Sequence, residues 1–134
     1  MAICYLGIGS NLGNRRKNIE IALKEIDHLK RTKVIKTSFL IETKPSGGPA
    51  NQGKFLNAAL RIKTSLSPLT LLKALKSIEY KLGRPKRYVR FSPRVIDLDI
   101  LFYADKAINY SILKVPHPKA FKRDFVMRPL LEIL

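Results

Sequence analysis

Hydrophobic positions change their spacing several times along the chain, and each change marks an element. Residues 2–9 are almost all apolar or small and read as a buried strand that ends at Gly9-Ser10-Asn11. Ile19, Ala22, Leu23, Ile26 and Leu29 recur at helical spacing and predict a helix over about 15–30. Residues 33–42 alternate imperfectly but are rich in Val, Ile, Thr and Phe, which predicts a strand. Two prolines and three glycines make residues 44–53 a loop. Clean alternation returns at 55–64, with Leu56, Ala58, Leu60 and Ile62 on one side and Asn57, Arg61 and Lys63 on the other. Ser67 as a cap, Pro68 at the first helical position and Gly83 past the end frame a second helix, with Leu71, Leu72, Leu75, Ile78 and Leu82 as its buried stripe. A basic loop at 84–94, a strand at about 95–103, a Pro-rich loop around Pro116 and Pro118 and a short C-terminal helix complete the chain. The order β-α-β-β-α-β plus a tail predicts an α+β, ferredoxin-like sandwich. Two helices would cover one face of an antiparallel sheet, leaving the other face to substrate loops.

Composition narrows the class. A length of 134 residues suits a single domain spanning 1–134, and 46% apolar residues can build a core. The formal charge of +16, from 26 basic and 10 acidic residues, points to an anionic partner such as nucleic acid, nucleotide or membrane phosphate. Lysine-rich surfaces that only keep a protein soluble, or suit a hot habitat, give the same charge. Cys4 is the one cysteine, which excludes an intrachain disulfide. It sits in an apolar run, as packing rather than as a nucleophile. The apolar start has no charged n-region and is too short to span a bilayer, so a reducing cytoplasm is the expected compartment.

Candidate chemistry begins with Asp97 and Asp99 in Val95-Ile96-Asp97-Leu98-Asp99-Ile100-Leu101-Phe102. Period two puts both carboxylates on one face, roughly 7 Å apart at Cα, with Ile96, Leu98, Ile100 and Phe102 on the other. Like charges this close repel, and a hard divalent cation such as Mg²⁺ relieves the conflict. Solvated aspartates on an edge strand are the alternative. From Lys81 through Arg94 there is no acidic residue, while Lys81, Arg84, Lys86, Arg87, Arg90 and Arg94 are all basic. Arginine forks grip phosphate oxygens bidentately, so cations beside a carboxylate pair suit a polyphosphate with Mg²⁺. A solvated loop or a nucleic-acid patch needs no such pair. Gly9-Ser10-Asn11-Leu12-Gly13 permits a tight turn into a helix, lacks the P-loop pattern and reads better as a turn with a helix cap than as an anion site. His117, between Pro116 and Pro118, is rigidly placed for phosphate contact or proton relay, or is a plain surface histidine. Arg123 and Phe125 read equally as a cation with an aromatic wall or as surface and core.

These motifs resemble those of 6-hydroxymethyl-7,8-dihydropterin pyrophosphokinases along nearly the whole chain. The matching pieces are Gly9-Ser10-Asn11-Leu12-Gly13, Glu42-Thr43-x-Pro45, Gln52-x-x-Phe55-Leu56-Asn57-Ala58, Ile78-Glu79 with Gly83-Arg84, Pro93-Arg94-x-x-Asp97-Leu98-Asp99-Ile100, and Pro116-His117-Pro118 with Arg123-x-Phe125. The resemblance implies a ferredoxin-like core and transfer of the ATP diphosphate to a hydroxymethyl-dihydropterin in folate biosynthesis. It also implies two Mg²⁺ ions held by Asp97 and Asp99, with Arg84 and Arg94 as mobile-loop arginines beside the transferring group. By the same matching, Glu79, Arg84, Arg90, Arg94, Ile100, Lys114, His117 and Arg123 fall where the family contacts ATP. Thr43, Pro45, Ser46, Phe55, Asn57, Asp97 and Phe125 fall where it holds the pterin. Departures from the family pattern are Phe91 for a frequent tryptophan, Ser92 for glycine or alanine, Ile112 for arginine, Pro118 for an aromatic, and an early stop at Leu134.

Two other readings compete. A ferredoxin-like RNA-binding module would want stacked aromatics in an RNP-type motif, which the chain lacks, and would leave Asp97 and Asp99 unexplained. A regulatory ligand-binding domain would not need arginines beside an acidic pair. The expected partners are therefore ATP and the pterin, with no nucleic acid and no membrane. The chain is expected to act as a monomer whose loops at about 44–53 and 84–94 close over the substrates.

Overall fold

A computed structural model describes residues 1–44, 53–83 and 95–134. Three long strands and two helices form its frame: β1 (Ala2–Ser10), α1 (Arg15–Asp27), β4 (Phe55–Thr64), α2 (Pro68–Lys81) and β5 (Asp97–Tyr103). The outer strand expected at 33–42 is split into β2 (Thr32–Thr37) and β3 (Ile41–Thr43), both antiparallel to β4. The sheet order is β2-β4-β1-β5, with β3 continuing β2 along β4. This is the ferredoxin-like arrangement that the element order predicts.

Local chemistry sets the element ends. Asn14 caps α1 by accepting the Lys17 N–H, and Gly13 before it turns through the left-handed region at φ +71°. Helix α1 ends at Asp27, earlier than its apolar spacing suggests, and Asp27 Oδ1 then accepts the Val34 N–H of β2 at 2.9 Å. Ser67 caps α2 ahead of Pro68, and Gly83 follows its end at φ +117°.

The split between β2 and β3 is stabilised by side chains from elsewhere. Ser38 N–H donates to Ala59 O at 2.9 Å, and Ser38 Oγ accepts the Ala59 N–H at 2.8 Å. Glu132 Oε2 accepts the Phe39 N–H at 2.7 Å. Backbone groups that a continuous ladder would satisfy are thus met by a serine and a distant carboxylate.

Two cores lie on opposite faces of the sheet. Ile19, Ala22 and Ile26 of α1 and Leu71, Leu75 and Ile78 of α2 pack against Leu6, Ile8, Leu60, Ile62, Leu98 and Ile100. Cys4 belongs to this core, and burial pushes its thiol up to about 11, which fits a packing role. On the other face, Leu130 and Ile133 of α3 (Asp124–Ile133) pack with Ala59, Leu101 and Ala120. The face expected to be left to loops is therefore partly covered by α3. A bulge separates the two sets on β5: Ile100 pairs with Leu6 and Phe102 with Tyr5, so Leu101 is the extra residue. Phe102 consequently joins the second core rather than the first, contrary to strict alternation. A short hairpin, β6 (Ile108–Asn109) and β7 (Lys114–Val115), lies beyond β5 and was not signalled by periodicity. Among the described residues no helix is long and apolar enough to cross a membrane.

Glycines on β1 clear the second face near its C-terminal end. A Cβ on Gly9 would lie 2.6 Å from Asn57 Oδ1, whereas one on Gly7 would first meet Leu101 Cδ2 at 3.7 Å. Gly9→Ala is therefore expected to destabilise the protein by about 1–3 kcal/mol, because the Asn57 amide must give way. Gly7→Ala is expected to be neutral or stabilising by up to about 1 kcal/mol. Urea midpoints of the two variants check this, and equal midpoints would contradict the close approach.

Candidate functional site

Strand register gathers the sequence candidates. Gly9 lies opposite Asn57 on β4 and opposite Asp97 on β5. One row closer to the N-terminus of β1, Gly7 lies opposite Ala59 and Asp99. Asn57 and Asp97 thus flank a strand without side chains, with Cα atoms about 10 Å apart as expected across two strand spacings. Residues in one cross-strand row share a face, so Asn57, Asp97 and Asp99 look onto the same floor. Phe55 joins them, because a Cβ on Gly9 would sit 3.5 Å from its ring. Asn57 is 8% exposed and donates from Nδ2 to Thr43 Oγ1 at 2.8 Å. Thr43 is paired with Phe55, so β3 brings a fifth candidate to the same rim.

Helix α2 reaches the opposite edge of the aspartate strand. Glu79 is fully buried, and its Oε2 accepts the Leu98 N–H at 2.8 Å, midway between Asp97 and Asp99. Its Oε1 lies 3.4 Å from Lys76 Nζ. The Leu98 amide therefore points away from β1, and the Ile100 amide, two residues on, falls in the same phase. Ile100's own side chain is packed in the first core, so only its backbone is available to a ligand.

His117, Arg123 and Phe125 approach from the C-terminal segment. His117 N–H donates to Leu101 O at 3.0 Å, which fixes the residue against β5. The Lys119 N–H donates to His117 Nδ1 at 3.2 Å, so a neutral ring carries its proton on Nε2. Burial lowers the His117 pKa below 6.5, Arg123 lowers it further, Asp97 opposes them and Lys119 adds a smaller lowering. Arg123 stands over the Phe125 ring at 5.5 Å, a cation–π contact. Lys114 is exposed on β7, and no contact joins it to this group among the described residues. Pro45, Ser46, Arg84, Arg90 and Arg94, with the departures at Phe91 and Ser92, lie outside the described residues. The residues bounding the basic segment do meet: Val95 Cγ2 is 3.5 Å from where a Gly83 Cβ would be.

Sequence reasoning missed the supports of the floor. Arg15 donates from Nη1 to Lys54 O at 2.9 Å and from Nη2 to Glu42 Oε2 at 2.7 Å. Asn11 Nδ2 donates to Gly53 O at 3.2 Å. Glu42 is held below its usual range, mainly by the Arg15 hydrogen bond and charge. The Gly9–Gly13 segment thus forms the turn into α1 that its composition suggests, with the cap supplied by the next residue, Asn14. The signal for the floor was readable: Gly7 and Gly9 share one face of β1.

The donor set fits a hard cation in chemistry if not in completeness. Among the described residues no three His, Cys, Asp or Glu cluster as a metal site. Two carboxylates on one face supply the usual protein share of a Mg²⁺ shell, the remainder being phosphate oxygens and water.

Comparison with known proteins identifies the family. The family model described as 7,8-dihydro-6-hydroxymethylpterin-pyrophosphokinase (HPPK) matches residues 5–134. The chain is 48% identical to the 2-amino-4-hydroxy-6-hydroxymethyldihydropteridine pyrophosphokinase of Aquifex aeolicus, covering 99% of this chain and 81% of that protein. It is 43% identical to the Bacillus subtilis protein of the same name, covering 98% and 77%. It is also 47% identical to the folic acid synthesis protein of Pneumocystis carinii, of which it spans only 17%. Among solved structures, the Plasmodium falciparum HPPK-DHPS shares the fold with a TM-score of 0.70 at 18% identity, over 99% of this chain and 40% of that one. The chain belongs to the 7,8-dihydro-6-hydroxymethylpterin-pyrophosphokinase family.

Proposed function

We propose that the protein performs its family's reaction on the glycine floor. It is a pyrophosphokinase of folate synthesis: the hydroxymethyl oxygen of 6-hydroxymethyl-7,8-dihydropterin attacks the β-phosphorus of ATP, and AMP leaves as the pterin diphosphate forms. The observation that carries the assignment of the site is the cross-strand row Asn57–Gly9–Asp97. It provides a flat floor with an amide at one end and a carboxylate at the other.

The pterin lies between Phe55 and Phe125, with Asn57 reading its amide edge and Thr43, Pro45 and Ser46 closing that side. An amide that both donates and accepts suits a pterin edge, and aromatic faces suit a flat ring. Asp97 accepts a hydrogen bond from the hydroxymethyl group and directs its oxygen. Asp97 and Asp99 together hold two Mg²⁺ ions, which supply neutralisation of phosphate charge when bound. Arg84 and Arg94 steady the transferring diphosphate, with Arg90 nearby. His117 Nε2–H donates to a phosphate oxygen, and Arg123 and Lys114 add charge. The outward backbone of Ile100 meets the adenine edge. Glu79 serves ATP binding by holding the β5 edge at Leu98. Such a site works by positioning and charge neutralisation. ATP and the pterin are the partners, no nucleic acid or membrane is required, and a monomer in the cytoplasm suffices.

Phosphorus NMR with ATP, Mg²⁺ and the pterin is expected to show AMP and a pterin diphosphate. Asp97→Ala and Asp99→Ala are each expected to lower kcat by about 10²–10³-fold or more. ADP as product, or full activity in Asp97→Ala, would overturn the reading. Asn57→Ala is expected to raise the pterin KM roughly 10–100-fold without altering the ATP KM, and an unchanged pterin KM would remove Asn57 from the site. In the ligand-free protein the His117 ring is expected to titrate below 6.5. Because the folded ring binds its proton less tightly, this residue's contribution to stability is lost as pH falls from 6.5 through the folded value. Asp97→Asn removes an influence that raises this pKa, so proton NMR of that variant should show His117 titrating lower still.

A further inference from the structure

We propose that Arg15 is a positioning residue for the pterin subsite, acting as a clamp that holds the β3–β4 rim in register; this rests on the functional reading above. Its two donating nitrogens engage two different strands, Nη2 binding Glu42 Oε2 of β3 at 2.7 Å and Nη1 binding Lys54 O just before β4 at 2.9 Å. Glu42 and Lys54 immediately flank Thr43 and Phe55, which are paired across the two strands. Among the described residues the β3–β4 ladder has three pairs, Ile41 with Asn57, Glu42 with Leu56 and Thr43 with Phe55. A slip of β3 by one residue would turn Thr43 to the opposite face, away from Asn57 and Phe55. Strand β3 receives little help from β2, since Ser38 interrupts the ladder between them.

The clamp is rooted in the turn that opens the floor. Arg15 is the first residue of α1, following Gly13 in the left-handed region and the Asn14 cap. Asn11, in the same turn, donates to Gly53 O at 3.2 Å, beside the carbonyl that Arg15 takes. Segment 9–15 thus makes room for Asn57 at Gly9 and grips the start of the strand that bears Asn57. The Arg15 hydrogen bond is also the largest cause of the lowered Glu42 pKa, in keeping with a formed pair.

Geometry, rather than stability, is what this arrangement provides. The ion pair is exposed, with the Arg15 and Glu42 side chains 31% and 45% accessible, and pairs of this kind add little to folding. A guanidinium spans two acceptors with a rigid planar fork, which the single ammonium of lysine does not reproduce. Small misplacement of binding groups is costly to catalysis even when the fold is intact.

The test is steady-state kinetics of Arg15→Ala, Arg15→Lys and Glu42→Ala beside thermal unfolding. Arg15→Ala is expected to raise the pterin KM by about tenfold or more, with the ATP KM within about twofold and the melting temperature little changed. Arg15→Lys should recover only a small part of the loss. Glu42→Ala should produce a similar rise, and Arg15→Ala combined with it should add less than the product of the two. An unchanged pterin KM in Arg15→Ala, an equal rise in both KM values, or a loss that merely tracks unfolding would each overturn the clamp. A wild type that turns over no pterin would overturn the functional reading and the clamp together. Normal wild-type turnover with an unaffected Arg15→Ala variant would overturn the clamp alone.

Discussion

A side chain of one residue occupies the space that its neighbour lacks. Asn57 Oδ1 lies where a Cβ on Gly9 would stand, and the rest of the site follows from that contact. With β1 stripped of side chains there, the Asn57 amide can lie across the strand toward β5, and Thr43 Oγ1 receives its Nδ2. The same missing side chain leaves open ground between Asn57 and Asp97, the two ends of the row. A central strand normally packs on both faces. Here β1 packs fully only on the face toward α1 and α2, through Leu6 and Ile8, while the second core starts further down the sheet around Ala59 and Leu101. The first face therefore carries the larger core, and the second carries a smaller core together with the candidate site residues.

The electrostatics follow from the same geometry. Asp97 and Asp99 sit on β5, an edge of the sheet, where like charges two residues apart are less buried than they would be at its centre. An edge strand also exposes unpaired backbone groups. Glu79 covers one of these by accepting the Leu98 amide from the first-core side, so a third carboxylate braces the strand without entering the second face. Gly83, just past the end of α2, and Val95, two residues before Asp97, also lie side by side, with Val95 Cγ2 3.5 Å from where a Gly83 Cβ would be.

Much of this was legible from residue order alone, and the exceptions have physical causes. Helical spacing and caps located α1 and α2, because a cap is a local bargain between neighbours such as Ser67 and Thr70. The β2–β3 break was not legible, because Glu132, ninety-three residues away, satisfies the Phe39 amide. The phase change at Leu101 escaped as well: a bulge keeps every residue apolar while moving Phe102 from one core to the other. In the site, Asp97 and Asp99 announced themselves by period two. Arg15 did not, since an arginine at a helix start has no pattern of its own and its partners Glu42 and Lys54 are distant in sequence.

The described residues at the rim of the floor fall into two sets of anchors. Thr43 and Phe55 bound one segment, and Gly83 and Val95 bound the other, and both sets lie near the C-terminal end of β1. Each anchor is fixed by more than its own strand: Arg15 and Asn11 for the first, the α2 terminus and Glu79 for the second. A group held on a strand or helix is placed more accurately than one held by its own loop. The candidate groups Asn57, Phe55, Asp97 and Asp99 are carried by the strands themselves. The sheet itself thus fixes where these four candidate side chains stand relative to one another, as the paired rows of β4, β1 and β5 require.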